Sequence, residues 1–446
     1  MTTSRFNQLK DKIIDQSCKI VVVGAGYVGY ELCAGLSSVG YKVSALETNS
    51  DRIAQLREKF DKEEYELVKF HVSSDPTMIK FADVVIICVP TPLSKSRLRP
   101  DMSFIDKSIS TIKDFDIKGK LFILESTTSP FTTIDRILPK LRKGTGMDIG
   151  EDFWLGFSPE RIDPANTKYN ITNTTKIVSG VSKRCIDLIS QLYIKLTKIK
   201  KVSNTQTAEM VKLYENTFRN VNIALVCELA QYCRENGIDV SEVIESADTK
   251  EFGFMKFYPS LIGGHCLPID PYYLTYHANK NNRRLHLTET ALAIHESMPK
   301  HVLKIIEDAV GGSLSGKHIL IIGVAYKPNV SDCRESGAMD LYKLLRKKSA
   351  VVSYHDSHVP SMIFYEASGR EKTLQSVDFN IENVSNADCV VLLQKHDNFD
   401  SLEDLFIDAK AIVDLTDSYP KTDFYFPKKS NFIWDIPSPH RRIFTL

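Results

Sequence analysis

Apolar residues in this chain gather into short unbroken runs, and two sets of runs repeat the same order. Residues 19–24, 42–47, 82–89 and 120–125 read as a strand ending in glycine, a strand ending in an acid, and two further apolar strands. Residues 317–323, 351–356, 387–393 and 409–414 repeat that order. Strands buried on both faces read as continuous apolar runs, and helix-length segments separate these, which predicts parallel sheets covered on both sides. The fold class expected is α/β, with two Rossmann-like doubly wound domains. Between them, from about Thr205 to Met298, the pattern turns helical, and from Thr207 to Asn236 no Pro or Gly interrupts it. That run predicts one long helix of about 45 Å at 1.5 Å per residue, suited to joining the domains and forming a dimer interface. The boundaries expected are 1–204, 205–305 and 306–446.

The first glycine-terminated strand runs into Gly24-Ala25-Gly26-Tyr27-Val28-Gly29, a G-x-G-x-x-G turn followed by helically spaced apolar residues. Gly24 allows the tight turn, Gly26 lets the backbone approach a pyrophosphate, and Gly29 lets helix and strand pack closely. Phosphates would rest on the helix N-terminus, where free N–H groups and the dipole favour negative charge. Glu47, ending the second strand, stands where a carboxylate accepts hydrogen bonds from ribose hydroxyls and repels a 2′-phosphate. This argues for NAD over NADP, although the nearby Arg52 tempers the choice. The second repeat keeps only Gly323 of the glycine pattern and continues Val324-Ala325-Tyr326-Lys327-Pro328, so it is expected to bind something other than a dinucleotide.

At 446 residues the chain exceeds one ordinary core and implies two or three domains. A net charge of +1 offers no footprint for nucleic acid, and no dense basic tract suggests a membrane surface. Lys195, Lys198, Lys200 and Lys201 read as a solvated strand edge or loop. The nine cysteines form no C-x-x-C pair, and Cys33, Cys88, Cys227 and Cys389 lie in apolar segments where a buried free thiol is ordinary. A reducing, cytoplasmic setting follows. Residues 1–17 contain no apolar leader, and no stretch is long and apolar enough to span a bilayer. The close pair His355 and His358 has no nearby cysteine, so no metal site is expected.

One further segment carries chemistry: Gly263-Gly264-His265-Cys266-Leu267-Pro268-Ile269-Asp270-Pro271. A cysteine in a Gly-Gly turn with a carboxylate four residues on, in a chain with a dinucleotide motif, points to oxidation through a thiol-bound intermediate. Simple alcohol dehydrogenation needs no thiol. Oxidising an aldehyde further does, because its thiohemiacetal gives up a hydride and the resulting thioester is then hydrolysed.

In order along the chain, residues 24–29, Val89-Pro90-Thr91-Pro92, Glu125-Ser126-Thr127-Thr128, Ser158-Pro159-Glu160-Arg161, residues 212–222, 263–271 and 323–336 resemble the motif set of the UDP-glucose/GDP-mannose dehydrogenase family. The resemblance runs from Lys19 to about Asp417. Gly253-Phe254-Met255, then Phe257-Tyr258-Pro259 and the Gly-Gly-His-Cys turn, look most like its UDP-N-acetylglucosamine 6-dehydrogenase branch.

The resemblance implies two successive NAD⁺-dependent oxidations of a sugar C6 alcohol to a carboxylate, with a UDP-sugar as substrate and a homodimer or higher oligomer as the working form. Cys266 would be the nucleophile. Lys212 and Asn216, at i and i+4 on one helix face, would stabilise the oxyanion. Glu160 and Asp270 would transfer protons and activate the hydrolytic water, and Thr127 would sit at the ligand-binding edge of the first sheet. Cofactor contacts are expected at Gly24, Gly26, Tyr27, Val28, Gly29, Glu47, Arg52, Thr91 and Thr127, with Arg334 reaching the cofactor phosphates. Substrate contacts are expected at Glu160, Arg161, Lys212, Asn216, Gly263 and Lys327.

Three places in the chain, five residues in all, depart from the family pattern. Ser260-Leu261-Ile262 replaces a glycine-rich loop, Phe131 replaces the glycine after Ser129-Pro130, and Ala165 replaces the glycine before Asn166. These touch loop geometry and sugar specificity, leaving UDP-GlcNAc, UDP-ManNAc, UDP-glucose and GDP-mannose in contention. A single-step alcohol dehydrogenase and a catalytically silent sugar-nucleotide-binding protein also stay open at this level.

Overall fold

The computed structural model describes residues 4–60, 70–94, 99–163, 166, 168–264, 266–365, 371–399, 405–406, 408–416 and 442–445; Ala165, His265 and Asp417 lie outside them. The chain divides into two compact units, one of residues 1–215 and 272–283, the other of residues 216–271 and 284–446.

The first unit is built on an eight-stranded sheet of order β3-β2-β1-β4-β5-β6-β7-β8. Its strands are β1 (Lys19–Val23), β2 (Lys42–Leu46), β3 (His71–Ser73), β4 (Val84–Ile87), β5 (Leu121–Leu124), β6 (Trp154–Phe157), β7 (Lys176–Gly180) and β8 (Ile199–Lys201). All neighbours pair in parallel except β6 with β7, which are antiparallel. Helices α1 (Arg5–Ile14), α2 (Tyr27–Ser38), α3 (Ser50–Phe60), α4 (Ser103–Lys113), α5 (Leu138–Arg142) and α6 (Lys183–Tyr193) accompany it. One face packs Leu32, Cys33 and Leu36 of α2 with Leu188 and Leu192 of α6. The other packs Ile105, Ile109 and Ile112 of α4 with Leu141 of α5. Both faces being covered explains why the central strands β4, β5 and β6 carry no polar side chain. Lys195, Lys198, Lys200 and Lys201 are exposed at the β8 edge, the solvated strand edge expected.

Helix α7 (Thr205–Asn236) is 32 residues long, about 48 Å at 1.5 Å per residue. Its residues up to Glu215 belong to the first unit and the remainder to the second. Then come α8 (Val240–Asp248), α9 (Asp270–Lys280) and α10 (His286–Ala309), the last with Pro299 inside it.

The second unit holds a five-stranded, all-parallel sheet of order β10-β9-β13-β14-β15. These strands are β9 (His318–Ile322), β10 (Val351–His355), β13 (Cys389–Leu392), β14 (Ala411–Asp414) and β15 (Arg442–Thr445), with a hairpin of β11 (Ser361–Tyr365) and β12 (Glu371–Gln375) inserted. Residues of α10 and α11 (Gly337–Lys347) pack on one face. Val384 of α12 (Ile381–Asn386), Phe399 and Phe406 pack on the other.

Strand order reverses between β1 and β4 in the first sheet and between β9 and β13 in the second, and such reversals open the crevice where α/β sheets bind ligands. At both reversals a glycine with positive φ lets the chains cross closely. A Cβ on Gly24 (φ 96°) would lie 2.6 Å from the Cys88 carbonyl oxygen, and one on Gly323 (φ 77°) would lie 2.0 Å from that of Gln394. The repeated sequence pattern is thus a repeated turn.

Candidate active site

After β1 the chain enters α2 directly. Gly26 is the N-cap, makes no side-chain cap hydrogen bond, and has nothing within 4 Å of where a Cβ would stand. A Cβ on Gly29 would meet the Gly24 carbonyl oxygen at 1.9 Å, so helix and turn pack at glycine-only distance. Open space above uncapped helical N–H groups is the cradle a pyrophosphate requires. Tyr27 is exposed and Val28 half-buried beside it. Glu47 holds the cradle: its Oε2 accepts Ala25 N–H at 2.8 Å, and its Oε1 accepts Thr48 and Asn49 N–H at 2.8 and 2.9 Å. Oε2 keeps a second lone pair for a ribose hydroxyl. Arg52 donates from Nε to the Ala25 carbonyl at 2.9 Å, so its guanidinium also braces the turn.

The ends of β4 and β5 supply the opposite wall. Tyr273 donates its hydroxyl to the Thr91 carbonyl at 2.9 Å, and Ser126 donates to the Val89 carbonyl at 2.8 Å, locking the segment that carries Thr91 against the one that carries Thr127. Beneath Thr127, Glu125 is buried with two partners distant in sequence. Lys176 Nζ lies 2.6 Å from its Oε2, and the Tyr193 hydroxyl donates to its Oε1. A buried ion pair needs such extra hydrogen bonds to offset desolvation.

The Ser158–Arg161 segment meets the first part of α7. Glu160 Oε2 lies 3.8 Å from Lys212 Nζ, both side chains largely buried, and Glu160 Oε1 accepts the Ile162 N–H. One turn along the helix, Arg161 grips Glu215 through Nε (3.2 Å) and Nη2 (2.6 Å) and donates Nη1 to the Thr175 carbonyl at 2.6 Å. Glu160 and Lys212 are thus brought together, while Arg161 spends its fork on the helix.

In the second unit Asn216, buried on α7, donates Nδ2 to Asp270 Oδ2 at 2.5 Å. The cysteine turn is closed by Ile269 and Asp270, whose N–H groups donate to the Cys266 carbonyl at 3.1 and 2.8 Å. Cys266 is partly exposed, unlike Cys33, Cys88, Cys227 and Cys389, which are buried. Burial holds the Cys33, Cys88, Cys227 and Cys389 thiols above the ordinary range, to about 11 for Cys227 and about 12 for Cys389. Gly263 and Gly264 press against Tyr326: a Cβ on either would sit 2.8 Å from that side chain. The substituted loop residue Leu261 packs where a Cβ on Gly337 would come within 2.5 Å, and the Cys227 thiol donates to the Ser260 carbonyl at 3.6 Å.

The second glycine turn is built differently from the first. Asp356, which follows β10 as Glu47 follows β2, is fully buried and accepts N–H bonds from Val324 (2.7 Å), Ala325 (2.9 Å), His358 (2.8 Å) and Val359 (3.0 Å). Burial alone would raise its pKa, but the bond from His396 and these N–H groups outweigh it and hold the carboxyl at about 2. With its lone pairs spent, and with α11 beginning only at Gly337, no pyrophosphate cradle follows Gly323. Lys327 is half-buried on this loop, which Asn329 anchors by donating its N–H to His396 Nδ1 at 2.9 Å. Arg334 is exposed and forms a two-pronged pair with Asp332 at 2.9 and 2.8 Å. Among the described residues no cluster could hold a metal ion.

Several residues here had no role from the sequence: Glu125 with Lys176 and Tyr193, Glu215, Asp356 and Glu209. Glu209 stands three residues before Lys212 on α7, and that spacing was its only signal.

Comparison with known proteins completes the picture. Residues 18–197 match the NAD binding domain, residues 206–297 the central domain and residues 320–421 the UDP binding domain of the UDP-glucose/GDP-mannose dehydrogenase family. The chain is 32% identical over 353 residues to a UDP-N-acetyl-D-glucosamine 6-dehydrogenase of Salmonella typhi, covering 76% of this chain and 82% of that one. It is 32% identical over 399 residues to a UDP-N-acetyl-D-mannosamine dehydrogenase of Pyrococcus horikoshii, covering 86% and 91%. A solved structure of UDP-D-ManNAc dehydrogenase from Pyrococcus horikoshii superposes with a TM-score of 0.79 at 31% identity, covering 89% of this chain and 94% of that one.

Proposed function

The chain belongs to the UDP-glucose/GDP-mannose dehydrogenase family, as an NAD-dependent UDP-sugar 6-dehydrogenase, and on that premise we propose that it oxidises the C6 hydroxyl of UDP-GlcNAc to the uronate in two steps through Cys266. The observation that carries the reading is the partly exposed thiol in a closed turn whose Asp270 is held by Asn216. The Gly24–Gly29 turn and Glu47 would hold NAD⁺, which would supply the hydride acceptor for each oxidation. Cys266 adds to the C6 aldehyde, and the thiohemiacetal is oxidised to a thioester that water cleaves. Lys212 stabilises the oxyanion, with the Glu160 carboxylate 3.8 Å from its ammonium. Glu160 and Asp270 carry the protons, and Lys327 contacts the sugar nucleotide. UDP-GlcNAc is preferred because residues 253–266 look most like that branch; the relatives bear both N-acetylhexosamine names.

The working form in this reading is a cytoplasmic homodimer. Met210, Tyr214, Phe218, Leu225, Leu229 and Tyr232 form an exposed apolar stripe along α7, the kind of seam a second helix covers. None of the nine cysteines is in a disulfide, in keeping with a reducing compartment. Among the described residues no helix is long and apolar enough to cross a membrane. NADH formation with UDP-GlcNAc, UDP-ManNAc, UDP-glucose and GDP-mannose tests the substrate: highest kcat/KM with UDP-GlcNAc is expected, and a preference for any other sugar nucleotide overturns that assignment.

A further inference from the structure

One turn beyond Asn216 on α7, Asn220 is fully buried. Its Nδ2 donates to the carbonyl of Leu267, the residue after Cys266, at 3.1 Å. Its Oδ1 is buried with no hydrogen-bond partner. Turning the amide over would set that oxygen against the Leu267 carbonyl, so the donor's direction is fixed by its target. His295 Nε2 lies 2.8 Å from the backbone carbonyl of Asn220 and, facing an acceptor, must carry the hydrogen. An apolar residue here would remove the unsatisfied Oδ1 but leave the Leu267 carbonyl without its donor, so an asparagine exchanges one unsatisfied oxygen for another and stability gives it little reason to be here.

The Leu267 carbonyl precedes Pro268, while the Cys266 carbonyl is engaged inside its own turn by Ile269 and Asp270. The peptides on the C-terminal side of Cys266 are therefore tied at two points, one to the turn itself and one to α7. On the N-terminal side Gly264 (φ 79°) lies flush against the Tyr326 ring. We propose that Asn220 is a positioning residue that aims the Cys266 thiol by holding the Leu267 carbonyl; its catalytic consequence rests on the functional reading above.

Asn220→Leu keeps the branched shape and removes the donor. Asn220→Asp can donate to a carbonyl only when protonated. The test is the rate of iodoacetamide alkylation at Cys266, followed by peptide mapping on the full chain without sugar nucleotide, with the partly exposed Cys333 as internal reference. Expected for Asn220→Leu is an alkylation rate at Cys266 changed by about threefold or more with Cys333 and Tm unchanged. Expected too is a kcat lowered about tenfold at constant KM, part of the roughly hundredfold that a 1 Å misplacement can cost. For Asn220→Asp the Cys266 rate relative to wild type returns toward unity as pH falls, which a merely structural role would not produce. Wild-type alkylation and kcat in a folded Asn220→Leu protein overturn the proposal, as does a pH-independent ratio in Asn220→Asp if the leucine variant does not fold. A wild-type enzyme that makes no NADH from any sugar nucleotide would defeat the functional reading but leave the alkylation comparison standing.

Discussion

Glu209 Oε2 accepts the backbone N–H of Phe131 at 2.6 Å, while its Oε1 takes both the N–H (2.8 Å) and the hydroxyl (2.6 Å) of Thr133. Phe131 sits at φ 72°, left-handed backbone that a side chain rarely adopts, at the position where the family pattern has glycine. The loop after Thr127 keeps a glycine's conformation without the glycine. Glu209 and a stacked contact between Phe131 and His277, with centroids 5.7 Å apart, hold it there.

Burial raises the Glu209 pKa from 4.5 to about 7 against the opposing hydrogen bonds from Thr133 and Phe131. A raised folded-state value means that the contribution to stability is fully present below pH 4.5 and is lost as pH rises through about 7. At 1.36 kcal/mol per unit the loss is on the order of 3 kcal/mol. Denaturant unfolding of wild type and Glu209→Gln from pH 5 to 8 should show the difference between them changing across this window; parallel curves would remove Glu209 from the account.

Asp356 has the opposite sign. Its carboxyl is held at about 2 against an ordinary 3.8, so its contribution is present above 3.8 and lost as pH falls toward 2. Asp356→Ala would strand four backbone N–H groups, each costing about 1–3 kcal/mol when left unsatisfied. A calorimetric scan should find Tm lowered by several degrees, and UDP-sugar KM raised as the loop carrying Lys327 loosens. An unchanged Tm would contradict the assigned role.

Glu47 is expected to make NAD⁺ preferred over NADP⁺ by on the order of a hundredfold, if a close like-charge contact costs about 3 kcal/mol. Comparing kcat/KM for the two cofactors in wild type and Glu47→Ala checks this. Equal efficiency in the wild type would leave Glu47 only its contacts with Ala25, Thr48 and Asn49.

The strands of both sheets that were legible in the sequence, such as β1, β4 and β9, are those buried on both faces, because continuous apolar runs leave no ambiguity of period. Others were not legible. β6 and β7 pair antiparallel, and Pro299 lies inside a helix, where local preference alone would end it. At the site, Lys212 and Asn216 could be placed on one helix face by spacing alone. What Glu209, Glu125 and Asp356 do depends on partners far away in the chain: Tyr193 meets Glu125 across 68 residues, and Thr133 meets Glu209 across 76. Arg161, expected at the substrate, shows the same limit, because its bidentate grip on Glu215 appears only in three dimensions.

Lys212→Ala should lower kcat by roughly a hundred- to a thousandfold with little change in KM, since an oxyanion develops only along the reaction path. Normal turnover with a raised KM would make Lys212 a binding residue and pass the oxyanion to Asn216 or a backbone amide.

The most direct test of a four-electron oxidation through Cys266 is the ratio of NADH formed to UDP-sugar consumed, measured to completion in wild type and in Cys266→Ala. The account predicts two NADH per sugar for wild type, and for Cys266→Ala no uronate at all with NAD⁺ affinity unchanged. One NADH per sugar in the wild type, or wild-type turnover to the acid in Cys266→Ala, would contradict it.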